Sequence, residues 1–432
     1  MKRKTLFIVS ILLAALFNMV LIYSSEAGGL RFLEQGQPGI GTACVGSAAL
    51  ADDASTAYFN PAGISRLKSP EVLLGSQLTV TNVGFHPDWK NTDPGSNGGD
   101  AGGVFPGGGF YYAQNLNEVL GLGLSVNSPI ASALGYDNNW KMNYLIQDSF
   151  LMVLNINPAL SFRITDWMSV GGGVVVNYGY YTQTMALFNP GQDDGKIDLD
   201  FDDWAVSYNL GILLEPTKHT RVGVAYRSEV DLKLTGDMDF TNVGGLWTQL
   251  GLENTYGESK IAVPRSIMVS VYQDVTDRIA LLLDAGWEDW STMVKTAIVD
   301  ESGEALELDR DWSDTWRLGL GVHYRASDNL LLKGGFSYDS SPASIRNRLP
   351  DLPVDRQWRF AAGFDYNIRK NMKISVSWEF IDLGEAPVDI QPAPMLPRFS
   401  GEYDQHANIV SLAFSWKFGK EGKAPGKNAT EK

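Results

Sequence analysis

Few residues of this chain have the types and spacings that catalysis or metal binding requires. The four histidines, His86, His219, His323 and His406, are far apart, and no pair has the spacing of metal ligands. No serine and histidine fall into an arrangement that would activate a nucleophile. The acidic run over residues 193–203 lacks the spacing and the closing Glu of a calcium loop, so it predicts an acidic outer loop. We therefore predict no catalytic residue, no metal site and no cofactor.

Composition excludes two further classes. Cys44 is the only cysteine, so the chain cannot form an internal disulfide. The formal net charge of −15 argues against nucleic-acid partners, which bind basic surfaces. Such acidity suits polar loops held in water above a charged lipid surface, and lipopolysaccharide is such a surface.

The N-terminal residues have the order of a secretory signal peptide. Basic residues 2–4 precede an apolar run over residues 6–23, and Ser-Glu-Ala at 25–27 has the small-x-small cleavage pattern. We predict removal of residues 1–27, with a retained anchor as the alternative. No later stretch approaches the roughly 20 apolar residues of a spanning helix, so the mature chain would cross a membrane with strands.

The last periodic segment has the alternation of a barrel wall. Its bulky apolar residues share one face, opposite small or polar ones: Val410, Leu412, Phe414, Trp416 and Phe418. A final strand ending in Phe resembles the signal read by the outer-membrane assembly machinery, which we expect as a partner. Residues 419–432 form a polar tail without periodicity.

Turns and loops alternate regularly between these ends. Six short polar turns recur near residues 115, 165, 217, 276, 327 and 369, and seven long polar segments lie between them. This pattern predicts an all-β fold, a 14-stranded antiparallel transmembrane β-barrel over residues 70–418. A soluble hairpin protein is the alternative, but it would need an apolar core that these rows of residues do not supply.

Residues 28–69 do not alternate and precede the first strand. Small apolar residues dominate positions 39–51, which favours short, closely packed helices. A segment of this size would fit inside the lumen of such a barrel as a plug, which we call the hatch.

One block within this segment resembles a known family. Residues 51–67, ADDASTAYFNPAGISRL, resemble the hatch signature of the FadL family of outer-membrane long-chain fatty acid and hydrocarbon transporters. Weaker matches follow in the family's order at residues 155–159, 314–317, 338–342, 348–351 and 355–358. The resemblance implies a small helical N-terminal hatch inside 14 strands. It also implies passive uptake of hydrophobic molecules, without ATP or an ion gradient.

The resemblance also implies two gating elements. Asn60, Pro61 and Ala62 would form a stiff turn of the hatch, which must shift to let ligand pass; the alternative is a purely structural turn. The family has a kink in its third strand that opens the wall sideways. Asn127, Ser128 and Pro129 are the candidates here, unless Pro129 simply ends the strand.

Two groups of residues are candidates for ligand binding. An apolar groove among the outer loops would be supplied by residues of the second loop, which could equally be ordinary loop packing: Trp140, Met142, Tyr144 and Leu145. A fatty-acid carboxylate would need a basic partner in the lumen, and Arg317, Lys333 and Arg359 face inward by the strand alternation. Pairing of these cations with barrel acids such as Asp365 is the alternative.

Together these features predict a monomeric channel in the outer membrane of a Gram-negative bacterium, in contact with its lipid. Long-chain fatty acids are the first candidate ligands. They would enter by the outer-loop groove, bind in the lumen and leave by a hatch-gated lateral exit. The alternatives are an aromatic-hydrocarbon channel of the same family, a general porin, or a structural or adhesive barrel.

Overall fold

The structure, a computed structural model, describes residues 32–92, 95–249, 251–301, 303, 305–391 and 398–419. The predicted signal peptide, residues 1–27, and residues 420–432 of the predicted tail lie outside these ranges. In the described part of the chain, no helix is long and apolar enough to cross a membrane.

Fourteen antiparallel strands form a closed wall, which confirms the predicted barrel and its strand count. Four of the strands consist of two segments. The bounds are β1 Glu71–Pro87, β2 Val104–Asn115, β3 Leu120–Gly135, β4 Asp148–Thr165, β5 Met168–Leu187, β6 Gly195–Thr217, β7 Thr220–Arg227 and Val230–Thr241, β8 Thr255–Val263 and Ser266–Asp274, β9 Ile279–Glu288 and Lys295–Asp300, β10 Ala305–Asp309 and Thr315–Arg325, β11 Leu330–Asp339, β12 Gln357–Arg369, β13 Met372–Asp382 and β14 Phe399–Lys417. Strand β1 pairs with both β2 and β14, so the sheet closes on itself into a barrel.

The two faces of the wall differ as the alternation predicts. In β14, Val410, Leu412 and Phe414 point outward and are exposed, whereas Ala413 and Ser415 are buried in the interior. The same outward row of large apolar side chains recurs in β6 and β10. This apolar outer face is what a wall in contact with lipid requires, so the soluble alternative is wrong.

The acidic run does not form the predicted loop. Strand β6 begins at Gly195; residues 195–203 pair with β5, and residues 196–202 also pair with β7. Leu199 and Phe201 are buried in the interior, so Asp200 and Asp202 alternate to the outer face. Because an outward carboxylate requires water instead of lipid, we infer that this end of β6 extends beyond the apolar band of the wall. The prediction failed because polar residues were equated with a loop.

Between Phe32 and β1, four short helical segments lie inside the barrel. They are a 3₁₀ turn at Pro38–Thr42, helix α1 at Ser47–Leu50, helix α2 at Thr56–Phe59 and a second 3₁₀ turn at Pro61–Arg66. Nearly all of their residues are buried against the inner face of the wall. Three further short elements follow later in the described chain: a helix α3 spans Gly245–Gln249, a 3₁₀ turn spans Trp290–Thr292, and a short strand at Pro387–Ile390 pairs with β14.

Apolar side chains fill much of the lumen toward the end with the long loops. This lumenal cluster is contributed by nearly all strands from β3 to β10 and by the loops above them, and includes Leu151, Tyr181, Phe201, Leu232, Trp290, Met293 and Trp312. A second cluster, the loop core, closes the barrel beneath the loops and includes Phe85, Leu134, Tyr136, Trp140, Met142, Phe399 and Tyr403. The inner surface of the barrel is therefore apolar at this end.

Candidate channel site

A cavity lies in the lumen beside the helical segments. Its empty volume is about 1050 Å³, counted with the space at its open side. Apolar and aromatic residues line much of it, among them Leu33, Tyr58, Phe59, Met268, Trp287, Trp290, Trp312 and Val354. We call it the central cavity.

Arg227, Arg317 and Arg359 also line the central cavity. The strand alternation predicted that Arg317 and Arg359 face the lumen. Arg317 pairs with Asp339 at 2.9 Å and donates to the carbonyl of Ala43 at 2.5 Å. Arg359 pairs with the same Asp339 and approaches the buried Glu34 at 3.4 Å. Both guanidinium groups therefore hold the N-terminal segment to the wall. Both arginines face the lumen, as the strand alternation predicts. Their ion pairs with acidic residues agree with the alternative, in which these cations pair with acids of the protein.

Lys333 lies apart from these arginines. Its ammonium group donates to the carbonyl of Pro38 at 2.6 Å and pairs with Asp365, the partner named from the sequence. It lines a separate cavity of about 490 Å³, with Asp53 and Lys373. The structure therefore divides the three predicted cations between two compartments, with the helical segments between them.

Asn60, Pro61 and Ala62 form a close junction between the helical segments and the wall. The Asn60 amide donates to the carbonyls of Ala48 at 2.7 Å and Ile212 at 3.0 Å, and accepts from the Ala62 amide at 3.1 Å. Pro61 begins the 3₁₀ turn that Asn60 caps.

Two wall glycines allow this junction to form. A Cβ at Gly211 would lie 2.0 Å from Asn60 Oδ1, and one at Gly171 would lie 2.5 Å from the Ala62 nitrogen. Any larger residue at either position would push the turn away from β5 and β6.

The β3 ladder is interrupted at the residues named from the sequence. Asn127 pairs with Asn155 and Ile130 with Val153, so Ser128 and Pro129 together oppose one residue of β4. The ladder between β2 and β3 runs from Asn115 to Gly109 on β2 and ends at Asn127, although both strands continue. Among the described residues, the wall therefore lacks a β2–β3 ladder beyond the bulge.

The N-terminal segment is attached to this bulge. The amide of Phe32 donates to the carbonyl of Pro129 at 2.9 Å, and the amide of Ser128 donates to Gln35 Oε1 at 3.1 Å. Tyr111 on β2 donates to the Gln35 carbonyl at 2.8 Å. Movement of the N-terminal segment is thus coupled by direct hydrogen bonds to the edge of the wall interruption.

A smaller cavity, the exit cavity, lies between the central cavity and this bulge. It has an empty volume of about 390 Å³ and is lined by Pro129, Ile130, Asn155, Val175, Asn177, Tyr208 and Val230, among others. Tyr58 and Arg227 line both the central and the exit cavities.

The four outer-loop candidates do not form one open groove. Trp140 is 1% exposed, stacks on Tyr136 with ring centroids 3.7 Å apart, and donates to the Ile146 carbonyl. Met142 is also buried in the loop core, and Leu145 packs against it. Only Tyr144 has a large exposed surface. Trp140 and Met142 do not line an open groove, because their side chains are buried in the loop core.

Sequence reasoning missed Tyr58, Arg227, Glu34 and Gln35. Tyr58 lies within the block that resembles the hatch signature, but a tyrosine at this position in the sequence does not indicate that its ring faces an arginine of the wall. Arg227 is a charged residue at the end of an alternating segment, and this is a weak signal. Glu34 and Gln35 precede the helical segments. They lie in no alternating or helical sequence pattern, so the sequence does not predict which way their side chains point.

Comparisons with known proteins agree with this geometry. The chain is 26% identical to the "Long-chain fatty acid transport protein" of Salmonella typhi over 88% of this chain and 93% of that protein. It is 24% identical to "Outer membrane protein P1" of Haemophilus influenzae over 83% of this chain and 86% of that protein.

Solved structures share the fold at lower sequence identity. A Pseudomonas aeruginosa FadL homologue superimposes with a TM-score of 0.83 at 20% identity, covering 91% of this chain and all of that one. The Ralstonia pickettii toluene transporter TbuX gives a TM-score of 0.66 at 18% identity, covering 90% of this chain and all of that one.

A family model described as "Outer membrane protein transport protein (OMPP1/FadL/TodX)" matches residues 19–418, almost the whole chain. The match includes the helical segments, the cavities and all 14 strands described above. Members of this family are transport channels and not enzymes. The chain therefore belongs to the OMPP1/FadL/TodX family and is a channel for hydrophobic compounds in the outer membrane of Gram-negative bacteria.

Proposed function

We propose that the ligands of this channel are long-chain fatty acids, taken up by passive diffusion. The observation that supports this most is the composition of the central cavity, where apolar and aromatic walls surround Arg227, Arg317 and Arg359. A fatty acid has the matching chemistry, with an acyl chain for the walls and a carboxylate for a guanidinium fork. A neutral hydrocarbon would use the walls alone.

The route we propose follows the described cavities. The ligand enters through the outer loops, binds in the central cavity, passes the hatch, residues 28–69, and leaves beside the bulge at Ser128 and Pro129. The turn at Asn60, Pro61 and Ala62 anchors the hatch while the rest of it shifts. Burial of about 0.8 kcal/mol per methylene gives such a ligand affinity without ATP or an ion gradient.

Native mass spectrometry of detergent-extracted protein tests the ligand class. We expect the wild-type protein to retain oleate after incubation, and to retain toluene or octadecane more weakly. Met268 lines the central cavity, so Met268→Glu should reduce oleate retention at least about tenfold, because it places a carboxylate beside the acyl chain.

Met268→Gln is the matched control, since it has nearly the same size without the charge. It should lose less oleate than Met268→Glu. Failure of the wild type to retain oleate would contradict the proposal. Stronger retention of toluene than of oleate would favour the aromatic-hydrocarbon alternative.

A further inference from the structure

We infer that Tyr58 and Arg227 form a gate between the central cavity and the exit cavity, and that the carboxylate of the ligand opens it. The inference rests on the proposed function and deepens it, because such a gate would select acids over neutral hydrocarbons. It is carried by the position of the pair between the two cavities and by the contacts that hold the pair closed.

The two residues form the partition itself. Both line the central cavity and the exit cavity, and the exit cavity reaches Pro129 at the wall interruption. Tyr58 is 2% exposed and belongs to α2 of the hatch, with Phe59 edge-on at 4.9 Å. A ligand moving from one cavity to the other must therefore displace the Tyr58 ring or the Arg227 side chain.

Two contacts keep the partition closed. The Arg227 guanidinium carbon lies 3.7 Å from the centroid of the Tyr58 ring, a close cation–π contact. The same guanidinium donates a hydrogen bond to the Tyr58 carbonyl. One wall side chain thus holds both the ring and the backbone of one hatch residue.

Arg227 lies beside a break in its wall strand. It ends the first segment of β7, and the strand resumes only at Val230. Ser228, in this break, accepts a hydrogen bond from the Tyr208 amide through its side chain, and its own amide donates to the Tyr208 carbonyl. Arg227 is therefore the last paired residue of this segment, opposite Asn209 on β6 and Ser266 on β8.

A carboxylate can compete for the guanidinium. Hydrogen bonds from arginine to a carboxylate are roughly twice as strong as neutral ones, and two can form side by side. A fatty-acid head group that reaches Arg227 therefore draws the guanidinium away from the Tyr58 carbonyl and ring. The ring can then turn, and the acyl chain follows into the exit cavity. A neutral hydrocarbon of the same length offers no such exchange.

The test compares an acid with a neutral ligand of equal chain length. The full chain would be expressed in a Gram-negative host lacking its own channel of this kind, and uptake of radiolabelled stearate and octadecane would be measured. We expect Arg227→Gln to reduce the ratio of stearate to octadecane uptake by about tenfold. An equal effect on both ligands, or none, would overturn the inference.

Two further variants keep the test interpretable. Tyr58→Ala removes the ring that closes the partition and should raise octadecane uptake. If Arg227→Gln does not fold, Arg227→Lys replaces it; this variant keeps the charge but loses the planar fork, and should lower the uptake ratio by a smaller factor. An unchanged ratio in a folded Arg227→Lys, with octadecane uptake also unchanged in Tyr58→Ala, would overturn the inference.

Native mass spectrometry with stearate separates this inference from the proposed function. The proposed function fails if the wild type retains no fatty acid. The gate alone fails if the wild type retains stearate and folded variants keep the wild-type uptake ratio. Folding of each variant is checked by the heat-dependent shift of a closed barrel in gel electrophoresis.

Discussion

Asn60 is the residue whose contacts most directly join the hatch to the barrel. Its side-chain amide reaches the Ala48 carbonyl inside the hatch and the Ile212 carbonyl in β6, and it is fully buried. A buried amide that satisfies two carbonyls is costly to remove, since each group left unpaired costs about 1–3 kcal/mol.

We therefore predict that Asn60→Ala lowers the free energy of unfolding by about 2–4 kcal/mol, because the carbonyls of Ala48 and Ile212 lose their donor. Asn60→Asp should destabilise the protein at least as much at neutral pH, since a carboxylate cannot donate and would face both carbonyls. Urea unfolding in detergent micelles measures both variants. Midpoints equal to that of the wild type would show that the turn carries no stabilising contact.

The sequence predicted the direction of a side chain where strand alternation determines it. It did not predict contacts that depend on the fold. The inward direction of Arg317, Lys333 and Arg359 follows from alternation, and the structure has all three buried. Their division between two cavities could not be predicted, because it depends on where the hatch lies. Arg227 was missed for the same reason, since its partner is a hatch residue 169 positions away.

At the scale of elements, β11 shows how the wall makes room for the hatch. A Cβ at Gly335 would lie 2.4 Å from the Thr42 carbonyl oxygen, whereas a Cβ at the next residue, Gly334, would meet nothing closer than 3.8 Å. Gly335 is on the inner face and Gly334 on the outer face, because neighbouring strand residues point in opposite directions.

We predict that Gly335→Ala displaces the 3₁₀ turn at Pro38–Thr42 and lowers the thermal unfolding temperature, while Gly334→Ala changes it little. The two substitutions add the same methyl group to the same strand, so intrinsic strand propensity cancels between them. Differential scanning calorimetry in detergent compares them. Equal unfolding temperatures for the two variants would mean that the hatch does not pack against β11 as described.

The N-terminal segment and the β3 bulge form a second pair of linked elements. Gln35 accepts from the Ser128 amide, and its own side-chain amide donates to the Phe32 carbonyl at 3.0 Å. Removing this side chain should loosen the attachment at the bulge without touching the Asn60 junction.

We therefore predict that Gln35→Ala speeds hydrogen–deuterium exchange at Ser128 and in residues 32–36, but not in residues 60–66. The Ser128 amide loses its acceptor, and exchange reports such local opening. Asn115→Ala serves as the opposite control, because its amide holds the carbonyls of Ser65 and Leu67 and should affect the second region instead. Faster exchange throughout the hatch in both variants would mean that it opens as one unit.

Element prediction from the sequence was accurate for the membrane-spanning parts of the strands and poor for their outer ends. Where the wall meets lipid, its outward face must be apolar, so alternation of apolar and polar residues identifies a strand. Beyond the lipid, β6 still alternates, but Asp200 and Asp202 face outward and Leu199 and Phe201 face inward. The pattern is inverted relative to a porin wall, and it was interpreted as an acidic loop.

For the whole molecule, the strand count was predictable because short turns recur at a nearly constant interval and closure requires an even number in such barrels. The internal cavities were not predictable. They depend on the volume that the hatch leaves unfilled and on apolar residues from several distant strands, which no single segment reveals.

The last prediction concerns the barrel as a conductor of ions. In the structure the helical segments, the lumenal cluster and the loop core occupy the bore, so intact protein in a planar bilayer should pass almost no steady current. Deletion of residues 28–66, with the signal peptide kept, removes the hatch and should give clear conductance steps. The lumenal cluster remains in this variant, so its conductance should stay below that of an open porin. Large steady currents through the intact protein would support the porin alternative, and silence of a folded deletion variant would show that the loop core alone seals the barrel.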